Sequence, residues 1–129
     1  MADVLIVEPD ALLAETYAKA LLKAGLRSRV AHSAQDAVNE VDKKLPKLVL
    51  LEVQLAAHNG IEFLYELRSH ADWRHVQVVI LSLVPQAELG LTPEIMEQLG
   101  IAAYFYKPQA KLAVLTSTVR KLIKPAKVS

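Results

Sequence analysis

The sequence predicts an α/β domain: a parallel sheet covered by helices on both faces. Three observations carry that expectation. Short continuous apolar runs such as Val4-Leu5-Ile6-Val7 are the pattern of strands buried on both sides, because alternation disappears when neither face meets water. Amphipathic stretches of helical spacing separate these runs, so strand and helix alternate along the chain and the crossovers are right-handed. With 129 residues and 53% apolar content the chain fits one domain with an ample core, and neither an internal repeat nor a low-complexity segment interrupts it.

Residues 4–7 form the first strand. Over 11–24, Leu13, Tyr17, Leu21 and Ala24 recur at helical spacing, and Gly25 can take the left-handed conformation that ends a helix. Leu26, Ser28 and Val30 alternate with Arg27 and Arg29, which marks a more exposed second strand. Ser33 with Asp36 caps the second helix, and Val38, Val41 and Leu45 give it an apolar stripe that Pro46 stops. Residues 48–53 are the third strand, after which Asn59-Gly60 turns the chain into a third helix carrying Ile61, Leu64 and Leu67. Trp73 anchors the following loop, and residues 76–83 are a fourth, strongly apolar strand. Beyond a longer loop, Thr92-Pro93 reads as an N-cap with proline at the first helical position, and Gly100 closes this short fourth helix. Residues 102–106 make the fifth strand, and Leu112, Leu115, Val119 and Leu122 mark the last helix. The domain is expected over residues 1–123, with 124–129 as a frayed tail or linker stub.

Fifteen Lys and Arg against fourteen Asp and Glu leave a formal charge of +1, which advertises neither nucleic acid nor an anionic membrane. The absence of cysteine excludes disulfides and thiolate metal sites. The start, Met-Ala-Asp-Val-Leu-Ile-Val-Glu, lacks the basic segment of a signal peptide, and no apolar run approaches the roughly 20 residues that span a bilayer. A soluble domain is expected.

In folds of this kind, ligands and reactive groups gather beyond the carboxyl ends of the strands. Glu8, Pro9 and Asp10 follow the first strand, Glu52 ends the third, Ser82 ends the fourth, and Lys107-Pro108 follows the fifth. Carboxylates, a hydroxyl and a lysine converge there. The stretches "VLIVEPD", "LVLLEV", "VVILSL" and "YFYKP", in that order, resemble the four signature blocks of response-regulator receiver domains of the chemotaxis-regulator type, over almost the whole chain. The resemblance implies a flavodoxin-like doubly wound fold, its five-stranded parallel sheet in the order 2-1-3-4-5, and a role in two-component or phosphorelay signalling. In such domains two acidic residues after the first strand hold magnesium, and an aspartate after the third accepts phosphate. A Thr or Ser and a Lys contact the phosphoryl group, and an aromatic residue on the fifth strand reports the state. Carried over position by position, Glu8 is the first acid, Ser82 the hydroxyl, Lys107 the cation and Tyr104 the switch aromatic.

Two positions depart: the second acid is Pro9 and the acceptor is Glu52. Magnesium demands near-ideal octahedral oxygen coordination at about 2.0–2.1 Å, so a lost ligand and a lengthened one weaken a site built from Glu8, Asp10 and Glu52. Phosphoryl transfer rests on positioning and electrostatics, which Lys107 alone supplies poorly. The expected reading is a degenerate, non-enzymatic receiver that is not phosphorylated, lacks a cofactor, and presents a fixed surface to a cytoplasmic protein partner. Glu52 then carries a permanent carboxylate toward Lys107, in the space of a phosphoaspartate; a purely structural ion pair is the plainer alternative.

Other readings stand beside this one. A working receiver would take phosphate on Glu52 or Asp10, although Asp10 serves equally as the N-cap of the first helix. A flavodoxin-like cofactor binder is disfavoured, because none of the four glycines forms a phosphate cradle. Tyr104 and Tyr106 are packing aromatics or signalling groups, and His58, in the loop beside the pocket, faces either a ligand or solvent. The resemblance further implies a cis peptide between Lys107 and Pro108. Finally, Glu94 and Glu97 on helix four, Tyr104 and Tyr106 on strand five, and Lys111, Arg120 and Lys121 around helix five form an edge with opposite charges at its flanks. That edge is a candidate for a two-fold dimer or is simply solvated.

Overall fold

In a computed structural model, which describes residues 3–55 and 59–123, strand and helix alternate as the apolar runs imply. The elements are β1 (Asp3–Val7), α1 (Ala11–Lys23), β2 (Arg27–Ala31), α2 (Ala34–Lys43), β3 (Leu48–Leu51), α3 (Gly60–Ser69), β4 (Gln77–Ser82), α4 (Pro93–Gln98), β5 (Ile101–Tyr106) and α5 (Leu112–Ile123). Three 3-10 turns, Ala71–Trp73, Gln86–Leu89 and Lys107–Gln109, punctuate the loops. The strands form one five-stranded sheet in the order β2-β1-β3-β4-β5, every pair parallel.

Side-chain alternation along these central strands divides the core in two. Leu5, Val7, Val49, Leu51, Val78 and Ile80 pack against α2 and α3 and the end of α4, through residues such as Val41, Phe63, Leu67 and Leu99. Val4, Ile6, Leu48, Leu50, Val79 and Leu81 pack against α1 and α5, through Ala14, Tyr17, Leu21, Leu115 and Val119. The helices therefore sit as α1 and α5 on one face and α2, α3 and α4 on the other. Trp73 packs against the first cluster, as expected of an anchor.

Register is what builds the site. Val7 lies opposite both Ala31 and Leu51, so β1, β2 and β3 end level, while β4 runs two residues past Ile80, the partner of Leu51, to Ser82. The ladder continues one residue further, with Glu8 N donating to Ala31 O at 3.0 Å and Glu52 N to Val7 O at 2.9 Å. Glu8 and Glu52 thus emerge side by side. Ser82 pairs with Tyr106, so Lys107 follows β5 two residues further along the sheet than Glu52, and its long side chain reaches back to the two carboxylates. β3 ends at Leu51, two residues short of the expected boundary, so Glu52 lies just past the strand rather than within it.

The helix starts follow the sequence signals. Asp10, Ser33, Asn59 and Thr92 each accept hydrogen bonds from first-turn backbone N–H groups through their side chains. Gly25 and Gly100, at φ 83° and 67°, supply the left-handed residues that end α1 and α4. The peptide between Lys107 and Pro108 is trans, which corrects the expected cis bond. Lys107 instead opens a 3-10 turn with Pro108 near its start, closed by Ala110 N donating to Lys107 O at 3.2 Å, and trans is the cheaper isomer even before proline. His58 and the expected tail at 124–129 lie outside the described residues.

Three arginines close helix C-termini, a feature the sequence reading did not anticipate. Arg29 donates to the carbonyls of Glu40 and Lys44 at 3.0 and 2.6 Å at the end of α2, and Arg120 to Ala24 O at 2.6 Å after α1. Arg68 reaches Leu99 O at 2.8 Å behind α4, and also the carbonyls of Trp73, Arg74 and Val76 at 3.3, 3.0 and 2.7 Å. Each cation meets orphan carbonyls at the negative end of a helix dipole. Arg68→Ala is expected to lower the unfolding free energy by about 2–4 kcal/mol, since charged hydrogen bonds contribute about 1.5–3 kcal/mol and several carbonyls are orphaned together. The check is a urea titration in which the midpoint falls and the slope stays constant.

Candidate functional site

At the carboxyl ends of β1, β3, β4 and β5, two buried carboxylates share one ammonium. Lys107 Nζ lies 2.6 Å from Glu8 Oε1 and 2.7 Å from Glu52 Oε1. Glu8, Glu52 and Ser82 are 2%, 3% and 0% exposed, so the group is sealed rather than open to a ligand. Two carboxylates against one lysine leave a negative charge in excess, which must be met by other donors. Backbone N–H groups meet it: Asp10 N reaches Glu8 Oε2 at 3.0 Å, Leu83 N reaches Glu52 Oε1 at 3.1 Å, and Gln54 N reaches Glu52 Oε2 at 3.1 Å. The Ser82 hydroxyl also donates to Glu52 Oε2. Among the described residues, no buried side-chain nitrogen or oxygen lacks a partner.

The extra methylene of Glu52 is what makes this closure possible. Its carboxylate spans from Lys107 on β5's side to Ser82 at the end of β4. Burial is the largest influence on Glu52 and opposes its charge, but the hydrogen bonds from Lys107, Ser82, Gln54 and Leu83 together outweigh it and hold its pKa below the ordinary value. Burial likewise works against the charge on Lys107, and the hydrogen bonds and charges of Glu52 and Glu8 overcome it, raising its pKa. Both groups are therefore ionised across the neutral range.

From Ser82 the network runs on into the β4–α4 loop. Ser82 Oγ accepts from Val84 N at 3.0 Å, and the Tyr104 hydroxyl donates to Val84 O. Tyr104 is half-buried, packed with Val84 against the α2–α3 core, and burial raises its hydroxyl pKa. Lys107, Glu52, Ser82, Val84 and Tyr104 are thereby joined in one continuous chain of polar contacts. Gly60 secures the other side of the loop after β3: its N–H donates to Val53 O at 2.7 Å, and a Cβ at this position would stand 2.7 Å from Val53 Cα. The Asn59-Gly60 pair signalled a turn in sequence, but this close approach to the Glu52–Val53 backbone was not legible there.

The remaining expected residues are placed differently. Asp10 is exposed, and its carboxylate accepts from Leu12 N and Leu13 N at 2.9 and 3.1 Å, capping α1 rather than entering the pocket. Pro9 brings no oxygen ligand. The donor set does not fit a magnesium ion, because Lys107 already occupies Oε1 of both Glu8 and Glu52, and no group of three or more acidic, His or Cys side chains is disposed to hold a metal among the described residues. Of the edge residues, Glu94, Glu97, Lys111 and Lys121 are exposed and Tyr106 half-exposed, whereas Arg120 is turned to Ala24 across the α1–α5 contact.

The chain matches the family described as "Response regulator receiver domain" over residues 4–120. It is 28% identical over 127 residues to a protein-glutamate methylesterase/protein-glutamine glutaminase of Treponema denticola, covering 93% of this chain and 33% of that protein. It is 34% identical over 82 residues to the KDP operon transcriptional regulatory protein KdpE of Escherichia coli, covering 64% of this chain and 35% of KdpE. The chain thus spans about a third of the length of these curated relatives. Among solved structures, a sensor protein from Polaromonas sp. JS666 superposes with a TM-score of 0.83 at 23% identity, over 95% of each chain. The chemotaxis protein CheY4 of Vibrio cholerae superposes with a TM-score of 0.82 at 19% identity, over 95% of this chain and 98% of CheY4.

Removing the shared cation strands two buried carboxylates. Lys107→Met is expected to cost about 3–5 kcal/mol of unfolding free energy, as breaking a buried ion pair from one side does; denaturant titration measures it. The pKa directions also fix a pH profile. Glu52, with its folded pKa depressed, contributes stability that is full above the unfolded carboxyl value and is lost as pH falls through the folded one. Lys107, with its folded pKa raised, contributes fully below its ordinary 10.5 and loses this contribution as pH rises through the folded value. Thermal midpoints should fall at both extremes, and Glu52→Gln should flatten the acid side of that curve.

Proposed function

Since the chain belongs to the response regulator receiver domain family of two-component signalling, we propose that it is a member whose pocket is filled by its own side chain and which signals without phosphorylation. The observation that carries this reading is the position of the Glu52 carboxylate, held at once by Lys107 and Ser82, the two groups that in a receiver of this kind contact a phosphoryl group. A permanent carboxylate there holds Ser82, and through Val84 it holds Tyr104, in one arrangement. The domain acts as an interaction module with a fixed surface, recognised by a protein partner in the pathway. The edge formed by α4, β5 and the start of α5 is the surface nearest Tyr104, with Glu94, Glu97, Tyr106 and Lys111 available for contact.

The competing phosphoacceptor reading gains little from this geometry. Asp10 is engaged at the start of α1, and Glu52 has both oxygens engaged and 3% exposure. Magnesium has no set of free carboxylates to bind, and no cofactor is assigned. No helix among the described residues is long and apolar enough to cross a membrane, in keeping with a cytoplasmic signalling role.

Incubation of the protein with acetyl phosphate and magnesium, followed by intact mass measurement, is expected to leave the mass unchanged. A variant combining Pro9→Asp and Glu52→Asp, which shortens the acceptor and supplies the second acid, should gain an acid-stable, hydroxylamine-labile phosphoryl group. Phosphorylation of the wild-type chain that Glu52→Gln abolishes would overturn the proposal.

A further inference from the structure

The formal charge of +1 conceals a division across the sheet. α1 and α5 together hold four cations and one carboxylate, whereas α2, α3 and α4 hold seven carboxylates against two cations. The two helical layers thus carry opposite charge, and the relief of each is a ridge or a groove. On the basic layer α1 stands as a ridge with grooves along both sides, one shared with α5 and one with the β2 edge, and Lys19 borders both. Its exposed side presents Leu12 and Leu22, 76% and 65% exposed, together with Lys19 and Lys23. On the acidic layer, α2 and α3 enclose a groove whose floor is Ala34, Val38 and Phe63 and whose rim includes Glu62 and Glu66.

We propose that the α1 ridge of one copy seats in the α2–α3 groove of a second copy, giving a head-to-tail self-association. Lys23, and Lys19 in exchange for its Glu15 partner at 3.0 Å, meet the acidic rim at Glu66 and Glu62, while Leu12 or Leu22 reaches the apolar floor. Along the helix the two leucines are about 15 Å apart, which is the length of the 10-residue α3 at 1.5 Å per residue. The occupant is a second copy because both halves of the contact, complementary in charge, lie on the same chain. A flat anionic membrane would match the basic layer but leave the acid-rimmed groove empty. Ridge and groove are different surfaces, so the contact is heterologous and does not close on itself as a two-fold dimer does.

Sedimentation velocity of the whole chain, from micromolar to near-millimolar concentration, tests this. At low salt the weight-average sedimentation coefficient should rise with concentration beyond that of a dimer. The rise should be lost near 1 M salt, where the Debye length is about 3 Å. Lys19→Glu with Lys23→Glu should abolish it, as should Glu62→Lys with Glu66→Lys, and mixing these two charge-reversed proteins should restore it. All these substitutions are on the surface, and circular dichroism confirms folding. A chain that stays monomeric throughout overturns the inference, as does self-association indifferent to both reversals or a failure of the mixture to recover. Association sensitive to Glu97→Lys alone also overturns it, in favour of the α4–β5–α5 edge.

Discussion

One ammonium shared between two buried carboxylates is the constraint from which the functional end of this domain follows. A buried lysine is costly unless paired, and so is each buried carboxylate. Lys107 between Glu8 and Glu52 satisfies all three because the parallel register brings the ends of β1 and β3 side by side and the lysine side chain reaches back to them from just beyond β5. The remaining lone pairs are taken by N–H groups of Asp10, Gln54 and Leu83 and by the Ser82 hydroxyl. Such groups in an open receiver pocket would stay available to an ion and a phosphoryl group; here they are consumed by the protein itself.

On the proposed reading, the length of the side chain at position 52 decides this outcome. An aspartate at position 52 would stop one methylene earlier, leaving Lys107 and Ser82 separated by a gap that a phosphoryl group could bridge. Glutamate bridges it directly, and the consequence passes from Ser82 through Val84 to Tyr104. Pro9 in place of a second acid points the same way, because the oxygens of Glu8 and Glu52 are already taken by Lys107 and by N–H groups and have little to offer a dication. Sequence departures that look like decay in a catalytic motif are, in the fold, mutually consistent packing choices.

Much of the architecture was legible in sequence, because continuous apolar runs and helical spacing are statements about burial. The caps at Asp10, Ser33, Asn59 and Thr92 and the left-handed glycines 25 and 100 were readable because each is a local backbone requirement. The Glu52–Lys107 pair was also foreseeable, since strand order places those termini together. What escaped was non-local or balanced between close alternatives. Arg68 carried no signal in sequence, because its four carbonyl partners, in the 73–76 loop and at Leu99, are brought to it by the fold. The isomer at Pro108 depends on a small energy difference that the neighbouring 3-10 turn tips to trans. Arg120, expected at the α4–β5–α5 edge, instead closes α1, because α5 packs beside α1 on the same face. The opposed charges of the two helical layers were hidden by a net charge near zero.

Whether the charge of Glu52 holds Val84 and Tyr104 in place is open to direct measurement. The measurement is backbone amide and tyrosine ring NMR shifts of the wild-type chain and of Glu52→Gln, with acetyl phosphate and magnesium added to each. The wild-type spectrum is predicted to be unchanged by the additions, and Glu52→Gln to displace the Ser82, Val84 and Tyr104 resonances while leaving those of β2 and α2 in place. Val84 and Tyr104 signals that ignore the loss of the charge, or wild-type signals that move with phosphodonor, would contradict it.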